Sequence, residues 1–206
     1  MIQQFGTDSA LLVIDAQEGV NDLGHWGGPT GRRNNPDAQG NLRALLGAWR
    51  NHRLPAMHTQ HDSRQAVSPL KLGLPGGAFM EGLAPAGHEL VIRKDVNSAF
   101  IGTRLELELR RRRITRLVVA GFFTNYCVET TVRMAGNMGF DTYLVHDCCA
   151  TTNQIGIDGK DHDPEVMHDI SVTSMNGEFC TALACSEALS LLAGNVENLH
   201  RIQRNE

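Results

Sequence analysis

Short, wholly apolar runs alternate along the chain with longer stretches in which apolar residues recur every three or four positions. Residues 10–14 are apolar throughout and lead into Asp15, the pattern of a strand buried on both faces. Across residues 37–50, Leu42, Leu45, Leu46 and Trp49 fall on one helical face. Residues 54–59 read as a second strand, weakened by Pro55, and residues 89–93 as a third. In residues 103–111 the leucines at 105, 107 and 109 alternate like a strand. Thr103 followed by Glu106 is instead a helix start, and the segment is predicted helical. Residues 117–121 form a fourth strand, and residues 128–138 a helix stopped by Gly139. A fifth strand over 140–146, a helix over 164–175, a sixth strand over 179–184 and a closing helix over 186–192 complete the pattern. Strands separated by helices imply right-handed crossovers and a parallel sheet covered on both faces, a three-layer α/β domain. Residues 19–35, 60–87 and 151–163 stay irregular, and loops of that length usually wall a pocket or cover it.

A chain of 206 residues suits one domain, 1–206, with a full core. The formal charge of −4 offers no electrostatic case for nucleic acid or an anionic membrane. The first apolar run is far too short to span a bilayer, and the residues before it are polar, so no targeting or membrane segment is expected. The five cysteines, at 127, 148, 149, 180 and 185, are odd in number and clustered late. Reduced thiols and a cytoplasmic location are expected.

Ligands of parallel α/β sheets bind outside the carboxyl ends of the strands, and three reactive side chains fall at such ends. Asp15 closes the first strand, Lys94 follows the third, and Cys127 lies six residues beyond Gly121, where a helix begins. A helix N-terminus lowers a thiol pKa. A carboxylate can take the thiol proton, and an ammonium can balance the two negative charges. Each residue also has an ordinary reading: Asp15 as a helix cap, Cys127 as inert packing. Their convergence on one sheet edge is what favours catalysis. The arginines at 110–113 sit at a helix end, where they offset the macrodipole. His146, Cys148 and Cys149 read as buried packing, and His162 and His168 as solvent-facing. A dinucleotide site is excluded, because residues 15–20 contain no glycine-rich phosphate turn.

The segments Leu12-Val-Ile-Asp-Ala-Gln17, Ile92-Arg-Lys94, Ser98-Ala-Phe100, Gly102-Thr103 and Val118-Val-Ala-Gly-Phe-Phe-Thr-Asn-Tyr-Cys-Val128, with residues 140–147, together resemble the isochorismatase-like cysteine hydrolases. That family includes nicotinamidases, N-carbamoylsarcosine amidase, and biuret and ureidoacrylate hydrolases. The resemblance covers residues 10–192. It implies a six-stranded parallel sheet in the order 3-2-1-4-5-6 and a triad of Asp15, Lys94 and Cys127. It also implies a cis peptide between Phe122 and Phe123, and an oxyanion hole from the backbone N–H groups of Phe123 and Cys127. The family's nicotinamidases bind a metal through an Asp-x-His pair after the second strand, plus a further His. This chain has His58-Thr-Gln-His61-Asp-Ser63 there. The pair is absent, and although His58, His61 and Asp62 can be imagined as ligands, neither metal nor other cofactor is expected. Gln17, Trp26, Gln60, His61, Phe100 and Asn125 are the candidates for substrate binding.

The expected activity is cleavage of the C–N bond of a small amide or carbamoyl compound through a Cys127 thioester. The alternatives are an isochorismatase-type enol-ether hydrolase, whose true members lack the nucleophilic cysteine, and a non-catalytic binding protein on the same fold. The expected partners are a small-molecule amide and further copies of the chain, in a homodimer or homotetramer.

Overall fold

The computed structural model describes residues 2–194. Its strands are β1 (Ser9–Ile14), β2 (Ala56–His61), β3 (Leu90–Lys94), β4 (Arg116–Phe122), β5 (Asp141–Ala150), β6 (Gln154–Ile155), β7 (Asp161–His162) and β8 (Thr181–Leu183). Six of them form one parallel sheet in the order β3-β2-β1-β4-β5-β8. With β8 counted as the sixth strand, this is the order the family resemblance implied. The helices are a single turn α1 (Leu23–Trp26), α2 (Ala38–Asn51), α3 (Leu105–Arg111), α4 (Glu129–Asn137), α5 (Pro164–Met175) and α6 (Cys185–Ala193). Helices α2 and α6 pack on each other, as do α4 and α5. Right-handed crossovers leave β1 and β4 in opposite directions, which puts the two pairs on opposite faces of the sheet. Leu42, Leu45, Leu46 and Trp49 all face the core, as their spacing requires, and every residue of β1 is buried.

Two features of the sheet have no periodic signal in the sequence. Strand β5 runs on to Ala150, with a register shift against β4 between Val119 and Gly121. The carbonyls of that irregular stretch are satisfied from outside the sheet. Asn35 donates to the carbonyls of His146 and Cys149, and Asn41 on α2 donates to that of Asp147. Within the third irregular segment, β6 and β7 pair as a small antiparallel hairpin. Strands of two residues are too short to show an alternation.

The strand order reverses between β1 and β4, so the crevice for a ligand lies beyond their carboxyl ends. The chain is shaped to bring those ends close. Gly121 has φ +133°, and a Cβ there would run into the Ile14 backbone. Beside it, Asp15 takes the left-handed conformation at φ +46°, which aspartate tolerates better than most side chains and which recurs at functional sites. The Thr59 hydroxyl of β2 locks Asp15 from below, donating to its carboxylate (2.5 Å) and accepting its backbone N–H (3.0 Å).

Candidate active site

Asp15, Lys94 and Cys127 meet at this crevice. Lys94 Nζ lies 2.6 Å from Asp15 Oδ2 and 3.2 Å from Cys127 Sγ. Its side chain is fully inaccessible, and that of Asp15 is 1% exposed. Burial works against the ammonium, but the Asp15 carboxylate and the Cys127 sulfur outweigh it and hold the Lys94 pKa above its ordinary value. Lys94 also contacts His61 Nδ1 at 3.0 Å and the Val96 carbonyl at 3.2 Å. Burial, then the Lys94 charge, push the His61 pKa down, so the imidazole is neutral at pH 7.

Cys127 lies in a five-residue π-type turn, Thr124–Val128, that leads into α4. The Phe122–Phe123 peptide before it is cis. The helix start was expected to depress the thiol pKa, and the surroundings do the opposite. Cys127 is buried, and burial followed by the neighbouring Asp15 charge drive its pKa well above the ordinary thiol value, with Lys94 opposing. At rest the sulfur keeps its proton, with the Asp15 carboxylate within 4.8 Å of it.

The expected substrate-binding residues divide. Asn125 lies within the Cys127 turn, and Trp26 packs beside it. The Trp26 indole donates to the Gly19 carbonyl (2.7 Å) and meets the Phe123 ring edge-on at 5.2 Å. Asn125 accepts a hydrogen bond from the Thr151 hydroxyl through its side-chain oxygen. His61 is turned inward onto Lys94 and lies 4.0 Å from Asp15.

Gln17, Gln60 and Phe100 are corrections. The Gln17 amide is spent on the protein: it accepts the His61 N–H (2.7 Å) and donates to the carbonyls of His61 and Gly77. Its carboxamide acts as a surrogate strand, continuing pairing to β2 beyond the end of β1. Gln60 points to the other side of β2 from His61, because successive strand residues face opposite ways. It donates to the Gly77 carbonyl and lines a cavity of about 880 Å³ along β3 that touches none of the three reactive residues. Phe100 is buried, and its ring stacks on that of Phe140, the residue before β5, at 6.1 Å between ring centres.

Asn97 was not singled out from the sequence. It is exposed, and its side-chain oxygen lies 3.9 Å from Cys127 Sγ. Its only sequence signal is its place three residues after Lys94, in the turn leaving β3. The imagined metal ligands do not converge. His58 points to Glu89 (2.8 Å) and Asp62 pairs with Lys71 (2.7 Å). Ligand atoms of Asp15, His61 and Cys127 do lie within 4.8 Å of one another, but all three are in contact with the Lys94 ammonium, which already supplies the positive charge.

His168, expected to face solvent, is buried against the Cys127 turn, where it pairs with the Thr124 hydroxyl at 2.9 Å. Burial, then His146, hold its pKa down at about 4, against an ordinary 6.5. Between these two values the unfolded chain binds a proton that the folded chain refuses, so stability falls as pH falls through this window. The expected loss from pH 6.5 to 4 is about 3 kcal/mol, from about 1.4 kcal/mol per pKa unit. His168→Asn should flatten the dependence. Urea unfolding of both forms at several pH values checks this, and equal slopes would contradict it.

A model of the isochorismatase domain matches residues 9–185. The isochorismatase family protein YrdC of Bacillus subtilis is 36% identical over 181 residues, covering 88% of this chain and 94% of its own. The crystal structure of an isochorismatase-family protein from Chromobacterium violaceum superposes with a TM-score of 0.86 at 40% identity, covering 92% of this chain and 96% of that one. A maleamate amidohydrolase from Pseudomonas putida is 30% identical over 122 residues, 59% of this chain and 54% of its own. From β1 to the first residue of α6 the fold, the strand order and the sequence agree: the chain belongs to the isochorismatase family of hydrolases.

Proposed function

We propose that the protein is an amidohydrolase that cleaves the C–N bond of a compact amide or carbamoyl compound through a thioester on Cys127. The observation that carries this reading is the buried Lys94 ammonium in simultaneous contact with Asp15 and the Cys127 sulfur. Asp15 takes the thiol proton as the sulfur attacks the substrate carbonyl carbon. The oxyanion forms against the backbone N–H groups of Phe123 and Cys127. Asp15 then protonates the nitrogen, the C–N bond breaks, and ammonia or an amine leaves. Water adds to the thioester with its proton passing to Asp15, the C–S bond breaks, and the proton returns to sulfur as the acid departs. Lys94 stays charged throughout and offsets the negative charge as it moves between carboxylate and sulfur. In keeping with this reading, one relative is a maleamate amidohydrolase.

The side chains at the mouth favour a small polar substrate. Asn97 and Asn125 offer neutral amides, and Trp26 with Phe123 offers an aromatic corner. Nicotinamide is expected to be a poor substrate, because no Asp-x-His pair follows β2 to carry a metal for its ring nitrogen. The test is ammonia or amine release from nicotinamide, a carbamoyl amide and a short peptide amide on one preparation. The carbamoyl amide should have the highest kcat/KM, and nicotinamide as the best substrate would overturn the assignment. Activity should also survive exhaustive chelation, and loss restored by zinc or manganese would show the ligand set to be misread.

The proposal includes a cytoplasmic setting, in keeping with five free cysteines; among the described residues no helix is long and apolar enough to cross a membrane. It also includes a homodimer or homotetramer. Ile155, Ile157, Val166 and Ile170 form an exposed apolar set on the hairpin and α5, and light scattering at micromolar concentration tests it.

A further inference from the structure

We propose that His61 is a positioning residue for Lys94: as a neutral imidazole it accepts a hydrogen bond from the ammonium at Nδ1, and acid conditions shut the enzyme down by charging that ring. The inference rests on the Cys127 mechanism proposed above and adds its control by pH.

The geometry is specific. Lys94 Nζ has four acceptors within 3.2 Å: Asp15 Oδ2, His61 Nδ1, the Val96 carbonyl and Cys127 Sγ. An ammonium has three N–H groups, so the four acceptors together fix where the head points, and without His61 nothing draws it toward β2 against Asp15, the Val96 carbonyl and Cys127. His61 can accept only with Nδ1 unprotonated, which sets the Nε2–H tautomer. The ring cannot easily move aside. Gln17 grips both the N–H and the carbonyl of His61, and the residue pairs with Lys94 across the β2–β3 ladder.

Charges face His61 from each neighbouring element. Asp15 comes from the end of β1, Lys94 from β3, Asp95 from the residue after it and Asp62 from the turn after β2, with the uncharged Cys127 thiol facing from its own turn. Asp95 and Asp62 are engaged by Arg64 and Lys71. The closest charged group is Lys94, so a proton on His61 would set two cations 3.0 Å apart. The ammonium would then be driven from the place where it bridges base and nucleophile.

The experiment compares wild type, His61→Leu and His61→Asn. Asn can place an oxygen near the position of Nδ1 but does not titrate. With the best amide of the panel, His61→Leu should lower kcat by about 10–100-fold with little change in KM, the scale of a misplaced catalytic group. His61→Asn should recover most of that loss and move the acid limb of kcat/KM to lower pH. A full kcat in His61→Leu, or coincident acid limbs in wild type and His61→Asn, would overturn the proposal. Nitrogen-15 NMR of labelled histidine gives a reading that needs no substrate. The His61 signals, assigned by their loss in His61→Asn, should show the Nε2–H tautomer and titrate below the ordinary histidine range. An Nδ1–H tautomer, or titration at the ordinary value, would overturn it as well. If no amide is hydrolysed, the hydrolase reading falls and the imidazole spectrum still decides on His61.

Discussion

Cys127→Ala should lower kcat/KM for the best amide by about 10⁴-fold or more while leaving the protein folded, as loss of a nucleophile does elsewhere. Removal of the sulfur takes away the atom that the proposed mechanism acylates, and Asp15 cannot replace it, being held to Thr59 and Lys94. The structural effect is small by comparison. Lys94 keeps Asp15, His61 and the Val96 carbonyl as acceptors, and one missing sulfur in a buried turn costs about 1–2 kcal/mol. Steady-state kinetics with a melting curve separates the two effects. Mass spectrometry of wild type quenched during turnover should find the acyl group on Cys127. Retained amide hydrolysis in Cys127→Ala would overturn the thioester route, and cleavage of an enol ether by that variant would shift the reading to the alternative with Asp15 as the acid.

Lys94→Met is expected to remove activity and also destabilise the fold by about 3–5 kcal/mol, a large fraction of an ordinary domain's stability. The reason is the charge left behind. Without the ammonium, Asp15 keeps only the Thr59 hydroxyl on one oxygen, inside a site where its side chain is 1% exposed. Lys94→Arg should not restore function, because a planar guanidinium cannot occupy a position surrounded on four sides at 3.2 Å or less. The double variant Lys94→Met with Asp15→Asn should recover much of the lost stability and none of the activity, since asparagine carries no charge, tolerates the left-handed backbone and keeps an oxygen for Thr59. Urea unfolding of the single and double variants measures this. A Lys94→Met chain as stable as wild type would mean that Asp15 finds another way to be solvated or protonated.

Strand ends were legible along the chain because burial on both faces leaves a mark that survives without coordinates. A run such as residues 10–14 is apolar at every position, and the polar residue that ends it must sit at the sheet edge. That logic located Asp15 and Lys94, the helix start beyond the fourth strand pointed to Cys127, and the helix periods placed Leu42, Leu45, Leu46 and Trp49 in the core. It does not say which way a neighbouring side chain turns. Gln60 and His61 are adjacent in sequence and equally polar, yet one faces a cavity along β3 and the other faces Lys94. Gln17 has the composition of a substrate ligand and is consumed as a brace for β2.

The sequence by itself therefore determined the layered α/β arrangement and, through residues at strand ends, the chemistry available at one edge. Family resemblance supplied the strand order. Only the tertiary structure decided the protonation state at the site, because burial of the Cys127 thiol is a property of everything packed around it and outweighs the helix start that the sequence displays. Asn97 joins the site for the same kind of reason: the turn leaving β3 folds back over a residue that is distant in sequence. Periodicity reports each residue's relation to its own strand or helix. Contacts between elements depend on register, turn geometry and side-chain direction, which exist only once the sheet is assembled.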